Sequence, residues 1–272
     1  MLDVADPEAP RLVKWICQWL PYISVSQSVE KLLNRSLAQQ KADPKLETTE
    51  IAITLSNLGY VLTQQGKYSE AEPLLREALE IDEKEREPNH EFIAIRLTNL
   101  AGLLHDTNRP LEAEPLMRRA LRISEANFGH HHPKVAIELG NLAQFLQDIN
   151  RLAEAEPLMR RTLAIRSHTY GADHPNTASS LANLGRLLFQ LGHVMEAERL
   201  ARQALDIWAK PGNTIDLRRG KAKWLLGLVQ ANHGNKIEAK ALLEEALKLM
   251  RLDHGENSPW VKQIKSSLET LT

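Results

Sequence analysis

An all-α fold assembled from repeated helix pairs is what this chain of 272 residues encodes. A five-residue block sets the repeat: Glu70-Ala71-Glu72-Pro73-Leu74 returns as Glu112-Ala113-Glu114-Pro115-Leu116 and as Glu154-Ala155-Glu156-Pro157-Leu158, always 42 residues on. Fainter copies, Glu196-Ala197-Glu198 and Glu238-Ala239-Lys240, hold the same phase. A second marker keeps step upstream: Asn57-Leu58-Gly59, Asn99-Leu100-Ala101, Asn141-Leu142-Ala143 and Asn183-Leu184-Gly185, with Leu225-Leu226-Gly227 in the fifth copy. Periods of this size, kept without insertion, are the signature of stacked supersecondary units.

Each unit reads as two helices. In the first, Leu55, Leu58 and Leu62 recur at three- and four-residue spacing and share one helical face. Gly66 ends it, and Asn108, Asn150, Gly192 and Gly234 take the same place; Gly and Asn tolerate the left-handed backbone of a helix end. The second helix carries Ala71, Leu75, Ala78 and Leu79, its alanines permitting close approach. Pro73, Pro115 and Pro157 fall near its first turn, where a missing N–H costs little. Gly129, Gly171 or Gly255 then breaks the chain before His132-Pro133, His174-Pro175 or Ser258-Pro259 opens the next helix.

The phase extends to both ends. Residues 1–46 read as a degenerate leading repeat or cap, with Ser28 to Leu33 in register, Trp15 and Trp19 ready to cover Leu55 and Leu58, and Pro21 shortening the first helix. Residues 47–257 hold five 42-residue repeats. Residues 258–272 read as a capping helix with Lys262, Lys265, Ser266, Ser267 and Glu269 on a polar side. The other reading is an array cut from a longer one, or one that pairs end to end with a second copy.

The arrangement Leu58-Gly59, Leu62, Ala71, Leu75, Ala78 resembles the tetratricopeptide repeat. The 42-residue unit with Asn-Leu-Ala/Gly, Glu-Ala-Glu-Pro-Leu and His-Pro is similar to its kinesin-light-chain-like subfamily. The resemblance implies a right-handed solenoid of antiparallel helix pairs whose concave surface, lined by first helices, holds a protein or peptide. In some bacterial relatives such repeats form the ligand-sensing arm of a signal-transduction ATPase. No GxxxxGK[ST] phosphate loop occurs in this chain, so a nucleotide switch would lie outside it.

Aligning Leu58 with the repeat's consensus leucine places Asn57, Asn99, Asn141 and Asn183 on the inner face as a ladder. Their amides suit either of two tasks: gripping a peptide backbone, or joining neighbouring helices. One turn on come Tyr60, Gly102, Gln144, Arg186 and Leu228, and then the ring of Gln64, Asp106, Asp148, Gln190 and Asn232. One turn earlier stand Ile53, Ile95, Ile137, Ser179 and Lys221, and Trp224 takes the place of Ser56. The expected peptide-binding set is Asn57, Tyr60, Gln64, Asn99, Asp106, Asn141, Gln144, Asp148, Asn183, Arg186, Lys221 and Trp224, with the varied positions giving specificity.

Composition narrows the alternatives. The 34 Lys+Arg balance 35 Asp+Glu, so the basic footprint of a nucleic-acid binder is missing overall. The single cysteine, Cys17, lies in an apolar run between Trp15 and Trp19 and reads as core. No stretch approaches the ~20 apolar residues of a membrane span, and a cytoplasmic protein is expected. His130-His131-His132 suggests a metal, yet no cysteine completes a zinc set, and His132 shares its phase with His90 and His174. Arg118-Arg119 and Arg160-Arg161 read as a solvated outer face. No catalytic constellation is legible, so neither enzyme activity nor cofactor nor metal is expected.

Overall fold

The computed structural model describes residues 27–43, 47–210, 218–256 and 258–271. The readings placed on Trp15, Cys17, Trp19 and Pro21 lie outside these residues. Among them are twelve helices and no strand. The chain divides into two compact units, residues 1–129 and 130–272. The first holds α1 (Gln27–Ala42), α2 (Thr48–Gln64), α3 (Tyr68–Glu85), α4 (Glu91–Asp106) and α5 (Pro110–Phe128). The second holds α6 (Pro133–Asp148), α7 (Leu152–Tyr170), α8 (Pro175–Gln190), α9 (Val194–Ala209), α10 (Arg219–Asn232), α11 (Lys236–His254) and α12 (Pro259–Glu269). Within each unit every helix packs on its chain neighbours, and first helices also meet across repeats, α2 with α4 and α8 with α10.

The helix ends form where the repeat markers fall. After α2, Gly66 takes φ +75°, and the Lys67 N–H reaches back to the Leu62 carbonyl at 2.9 Å. Asn108 (φ 59°) and Asn150 (φ 61°) do the same after α4 and α6, with Arg109 N–H on Leu104 O and Arg151 N–H on Leu146 O, both 2.8 Å. This left-handed closure satisfies carbonyls that a helix end leaves open. It turns the chain back in two or three residues, so the second helix must lie against the first.

Close approach within a pair depends on the small residue after the marker leucine. A Cβ added to Gly59 would stand 2.6 Å from Leu75 Cγ, and one on Gly227 would stand 2.8 Å from Leu243 Cγ. Where the first helix instead carries Ala101 or Ala143, the second carries Met117 or Met159 at the place of that leucine, and all four are buried. Unbranched methionine bends around the extra methyl. Against these pairs pack the fully buried Leu55, Ala52 and Ala78 in α2 and α3, and Ile93 and Leu97 with Ala120 in α4 and α5. In the second unit Val261 and Ile264 of α12, both 0% exposed, join Trp224, Leu243, Ala246 and Met250 of α10 and α11.

The joints between a second helix and the next first helix differ in chemistry. At the α3–α4 joint Asp82 is sealed from solvent, accepting from Arg86 Nε at 2.7 Å and Arg96 Nε at 2.8 Å. The two guanidinium groups lie 4.7 and 5.6 Å from the centroid of the Phe92 ring. At the α7–α8 joint, in the same repeat phase, Arg166 Nη1 donates to the Ser180 hydroxyl at 3.1 Å.

On the second helices the Glu-Ala-Glu blocks are clamped by arginines from adjoining repeats. Arg109 bonds Glu72 and Glu112, both at 2.8 Å, and Arg76 reaches the same two carboxylates at 2.8 and 3.4 Å. In the second unit Arg160 pairs with Glu156 at 2.8 Å and Glu196 at 3.1 Å. Of the arginines expected on a solvated outer face, Arg160 and Arg119 stay partly exposed and also tie one repeat to the next, Arg119 by pairing with Glu83. Single exposed pairs contribute little, so the ladder acts mainly on register.

Two predictions follow from these contacts. Replacing Gly59 by Ala is expected to cost about 1–3 kcal/mol by overpacking. Adding Leu75→Met should recover a part well outside additivity in a denaturant double-mutant cycle. Purely additive costs would show that the Gly–Leu and Ala–Met pairings are unrelated to packing. The second concerns pH. Burial pushes the Glu72 carboxyl up, but Arg76 and Arg109 hold it below its ordinary 4.5; Arg109 lowers Glu112, and Arg160 lowers Glu196. A lowered folded value means stability fully present above 4.5 and lost as pH falls below it. The urea midpoint should therefore drop below pH ~4.5, and less steeply in the Glu72→Gln, Glu112→Gln variant.

Candidate functional site

In the first unit the candidate face runs along α2 and α4. Asn57 and Tyr60 are half-buried and Gln64 is exposed at the helix end. Burial pushes the Tyr60 phenol above its ordinary value. On α4, Asn99 is half-buried and its Nδ2 donates to the Ser56 hydroxyl of α2 at 3.0 Å, so this rung joins two first helices. At the place of Tyr60 stands Gly102, and a Cβ there would meet nothing within 4 Å. An open notch therefore sits beside the tyrosine position. Asp106 is exposed at the rim, 3.7 Å from the His105 ring. One edge is apolar: Ile53 is half-buried and Ile95 is 41% exposed.

In the second unit the face is formed by α6, α8 and α10, with α12 reaching onto it. Asn141 and Asn183 are half-buried, and their amides make no hydrogen bond to another described residue; the same holds for Asn57 in the first unit. Ile137, one turn before Asn141, is 51% exposed. Gln144 Nε2 donates to Asp148 Oδ1 at 2.7 Å. Arg186 Nη2 donates to Gln144 Oε1 at 2.8 Å and Gln147 Oε1 at 2.6 Å, and Gln147 in turn bonds Gln190. The Arg186 guanidinium lies 4.9 Å and the Lys221 ammonium 4.8 Å from the centroid of the Trp260 ring. Trp224 meets Trp260 edge-on at 5.8 Å and packs into the core, only 6% exposed.

The expected residues thus fall into two sets. Asn57, Tyr60, Gln64, Asn99 and Asp106 gather on the first unit's face. Gln144, Asp148, Arg186, Lys221 and Trp224 form one connected cluster in the second, with Asn141 and Asn183 alongside. The sequence pattern placed Gln190 on this face without giving it a partner, left Gln147 unmarked, and set residue Trp260 only within the capping segment 258–272. The signal for the glutamines was their helical phase with Gln144 and Arg186. Trp260 gave no such signal, because it reaches the face from a different helix.

The histidines of the His-Pro motif have a local task. His90, His132 and His174 stand at the N-caps of α4, α6 and α8, and each ring Nδ1 accepts the backbone N–H two residues on, at 3.2, 3.2 and 3.0 Å. Ser258 caps α12 in the same way, its hydroxyl accepting the Val261 N–H at 3.3 Å. His130 belongs to another contact, its carbonyl accepting Arg161 Nη2 at 2.9 Å. Among the described residues no group of three or more His, Cys, Asp or Glu is placed to hold a metal ion, and no helix is long and apolar enough to cross a membrane.

Residues 50–126 and 135–210 match one tetratricopeptide repeat description, and residues 182–253 match a second. The chain belongs to the tetratricopeptide repeat family. No curated protein matches this tetratricopeptide repeat chain. Among solved structures it is similar to BtubC (BKLC) of P. vanneervenii, at 21% identity over 93% of this chain and 95% of that one, with a TM-score of 0.64. It is similar to a Podosopora anserina kinesin-light-chain-like protein of nearly identical TPR-like repeats, at 24% identity over 76% of this chain and 98% of that one, TM-score 0.64. A Rap protein complexed with competence and sporulation factor aligns at 14% identity over 97% of this chain and 73% of that one, TM-score 0.66. At these identities the likeness is one of fold, and it agrees with the kinesin-light-chain-like period.

The N-cap geometry makes a separable prediction. His132→Ala should lower stability by about 1 kcal/mol, and His132→Ser or His132→Asn should recover most of it, because only an acceptor for the Lys134 N–H is needed. Equal losses in all three variants, measured by thermal melting, would assign the ring a different role.

Proposed function

We propose that this tetratricopeptide repeat chain is a binding scaffold, not an enzyme, and that it holds a peptide or a segment of a partner protein along its first-helix faces. One observation carries the reading. Asn57, Asn141 and Asn183 return at the same repeat position, are half-buried, and engage no other described residue through their amides. An asparagine amide offers both donor and acceptor and matches a peptide group. Polar groups held part-way out of water and left without partners favour a ligand that supplies them.

Around this repeated element the side chains vary. Tyr60 and Gly102 in the first unit, and Gln144, Arg186 and Leu228 in the second, occupy one repeat position with five chemistries. A repeated amide holds a backbone in any sequence; the varied position reads side chains. The apolar edge at Ile53 and Ile95, and Ile137 in the second unit, adds area for an apolar ligand residue. That a Rap protein of like fold has been solved with a bound factor supports the same use of this fold.

The test separates binding from folding. Asn141→Ala together with Asn183→Ala should leave the melting temperature within a degree or two, yet weaken capture of a randomised peptide library by at least about tenfold. Asn99→Ala should instead cost about 1 kcal/mol of stability, since Ser56 loses the donor it faces. A double variant that binds the library as the parent does would assign the ladder to helix packing.

A further inference from the structure

We infer that the cleft where α7, α8 and α9 meet is a site for a small aromatic carboxylate. It is separate from the peptide-binding face proposed above: Thr177 and Leu181, which line it, lie on another side of α8 from Asn183 and Arg186.

The cleft encloses about 200 Å³. Its floor is apolar, formed by Leu181 and Leu200, each 3% exposed, with the half-buried Leu163 beside them. An apolar space of about 150 Å³ is enough for benzene, so the floor suits a body the size of one ring. In the first unit the same repeat positions are filled differently. Thr177 stands where that unit has the fully buried Ile93, and its hydroxyl is committed to the Gly171 carbonyl at 2.8 Å. Ser167 and Gln203 stand where it has Glu83 and Arg119, which pair with each other. The side chains of Ser167 and Gln203 make no hydrogen bond to another described residue, so that bridge across the mouth is missing here.

Arg199 brings charge to the rim. Earlier repeats carry Pro73, Pro115 and Pro157 at its position. The acid it approaches, Glu196, already accepts two bonds from Arg160, at 3.1 and 3.2 Å. Arg199 stands 3.8 Å from Glu196, beyond hydrogen-bond distance, and its guanidinium donates to no other described residue. A planar guanidinium with open N–H bonds matches a carboxylate in shape and charge. Gln203 lies one helical turn from Arg199 on α9, and its amide and the Ser167 hydroxyl are further donors at the mouth. An apolar floor under a few convergent polar groups is the usual make-up of a small-ligand site. A neutral ring would leave Arg199 unanswered, and a carboxylate without a body would leave the floor wet.

The test uses the full chain with benzoate, benzamide and acetate as probes, followed through the methyl resonances of Leu163, Leu181 and Leu200. Benzoate should shift all three saturably, with a Kd on the order of 1 mM for so small a ligand. Benzamide lacks the charge and acetate lacks the ring, and each should bind at least about tenfold more weakly. Arg199→Met, at a side chain 64% exposed, should bring benzoate down to the affinity of benzamide. Ser167→Glu with Gln203→Arg restores the first unit's pair across the mouth and should abolish the benzoate shifts. The site is overturned if benzoate leaves the three methyl groups unmoved, or is not preferred over both other probes. It is equally overturned if the preference survives Arg199→Met, or if the double variant binds benzoate as the parent does. Should a variant not fold, the order of the three probes on the parent decides alone. None of these outcomes bears on the scaffold reading, which concerns the other face.

Discussion

The contact on which each repeat depends is the near approach of its two helices at one small residue. With Gly59, Ala101, Ala143, Gly185 or Gly227 at that point, the second helix lies close enough for its alanines to bury fully. That contact also fixes how the first helix is rotated about its axis. Successive helical residues project about 100° apart. If Leu58 and Gly59 face the partner helix, Asn57 must stand at the edge of the packed surface. The half-buried amide row is therefore held in place by the leucine core beneath it. Side chains on that face vary at Tyr60, Gly102 or Arg186 without disturbing the pair.

Charge is divided between the two kinds of helix. On second helices, Glu-Ala-Glu blocks and arginines balance one another at the surface, spanning repeats through Arg76, Arg109 and Arg160. On the first-helix face of the second unit the hydrogen-bond partners of Arg186 among the described residues are amides, and an indole ring lies beside its guanidinium.

Much of the architecture was legible in the sequence because it recurs. The 42-residue step marked both helices of a pair, the Gly or Asn at φ near +60 to +85° after first helices, and the His-Pro starts. The role of His132 was only half legible: its phase with His90 and His174 spoke for architecture, whereas the N-cap bond needs backbone geometry. What stayed hidden does not recur. The buried Asp82 with Arg86 and Arg96 involves residues 14 apart across a joint, and the matching Arg166 and Ser180 share no chemistry with them. Trp260 reaches the Arg186 and Lys221 side chains from another helix, a relation that no periodicity encodes. Of the candidate face, the repeated row and its varied neighbours could be read in advance. The bond from Asn99 to Ser56, and the union of Gln144, Gln147 and Arg186, could not.

The joints also bear on how such a chain can be rearranged by duplication. Asp82 meets arginines, Arg166 meets a serine, and Met250 packs in one cluster with Ile264. Each of these three second helices ends in a group suited to its own successor. Were the α3 end set against α8, Asp82 would face Ser180 and lose the Arg96 it now bonds, leaving a buried carboxylate short of a cation. The shared leucines and alanines make the repeats look like interchangeable copies, but the joint residues give them a fixed order. A shuffled gene would encode the same helices and fail at their seams, so the succession of repeats is itself inherited information.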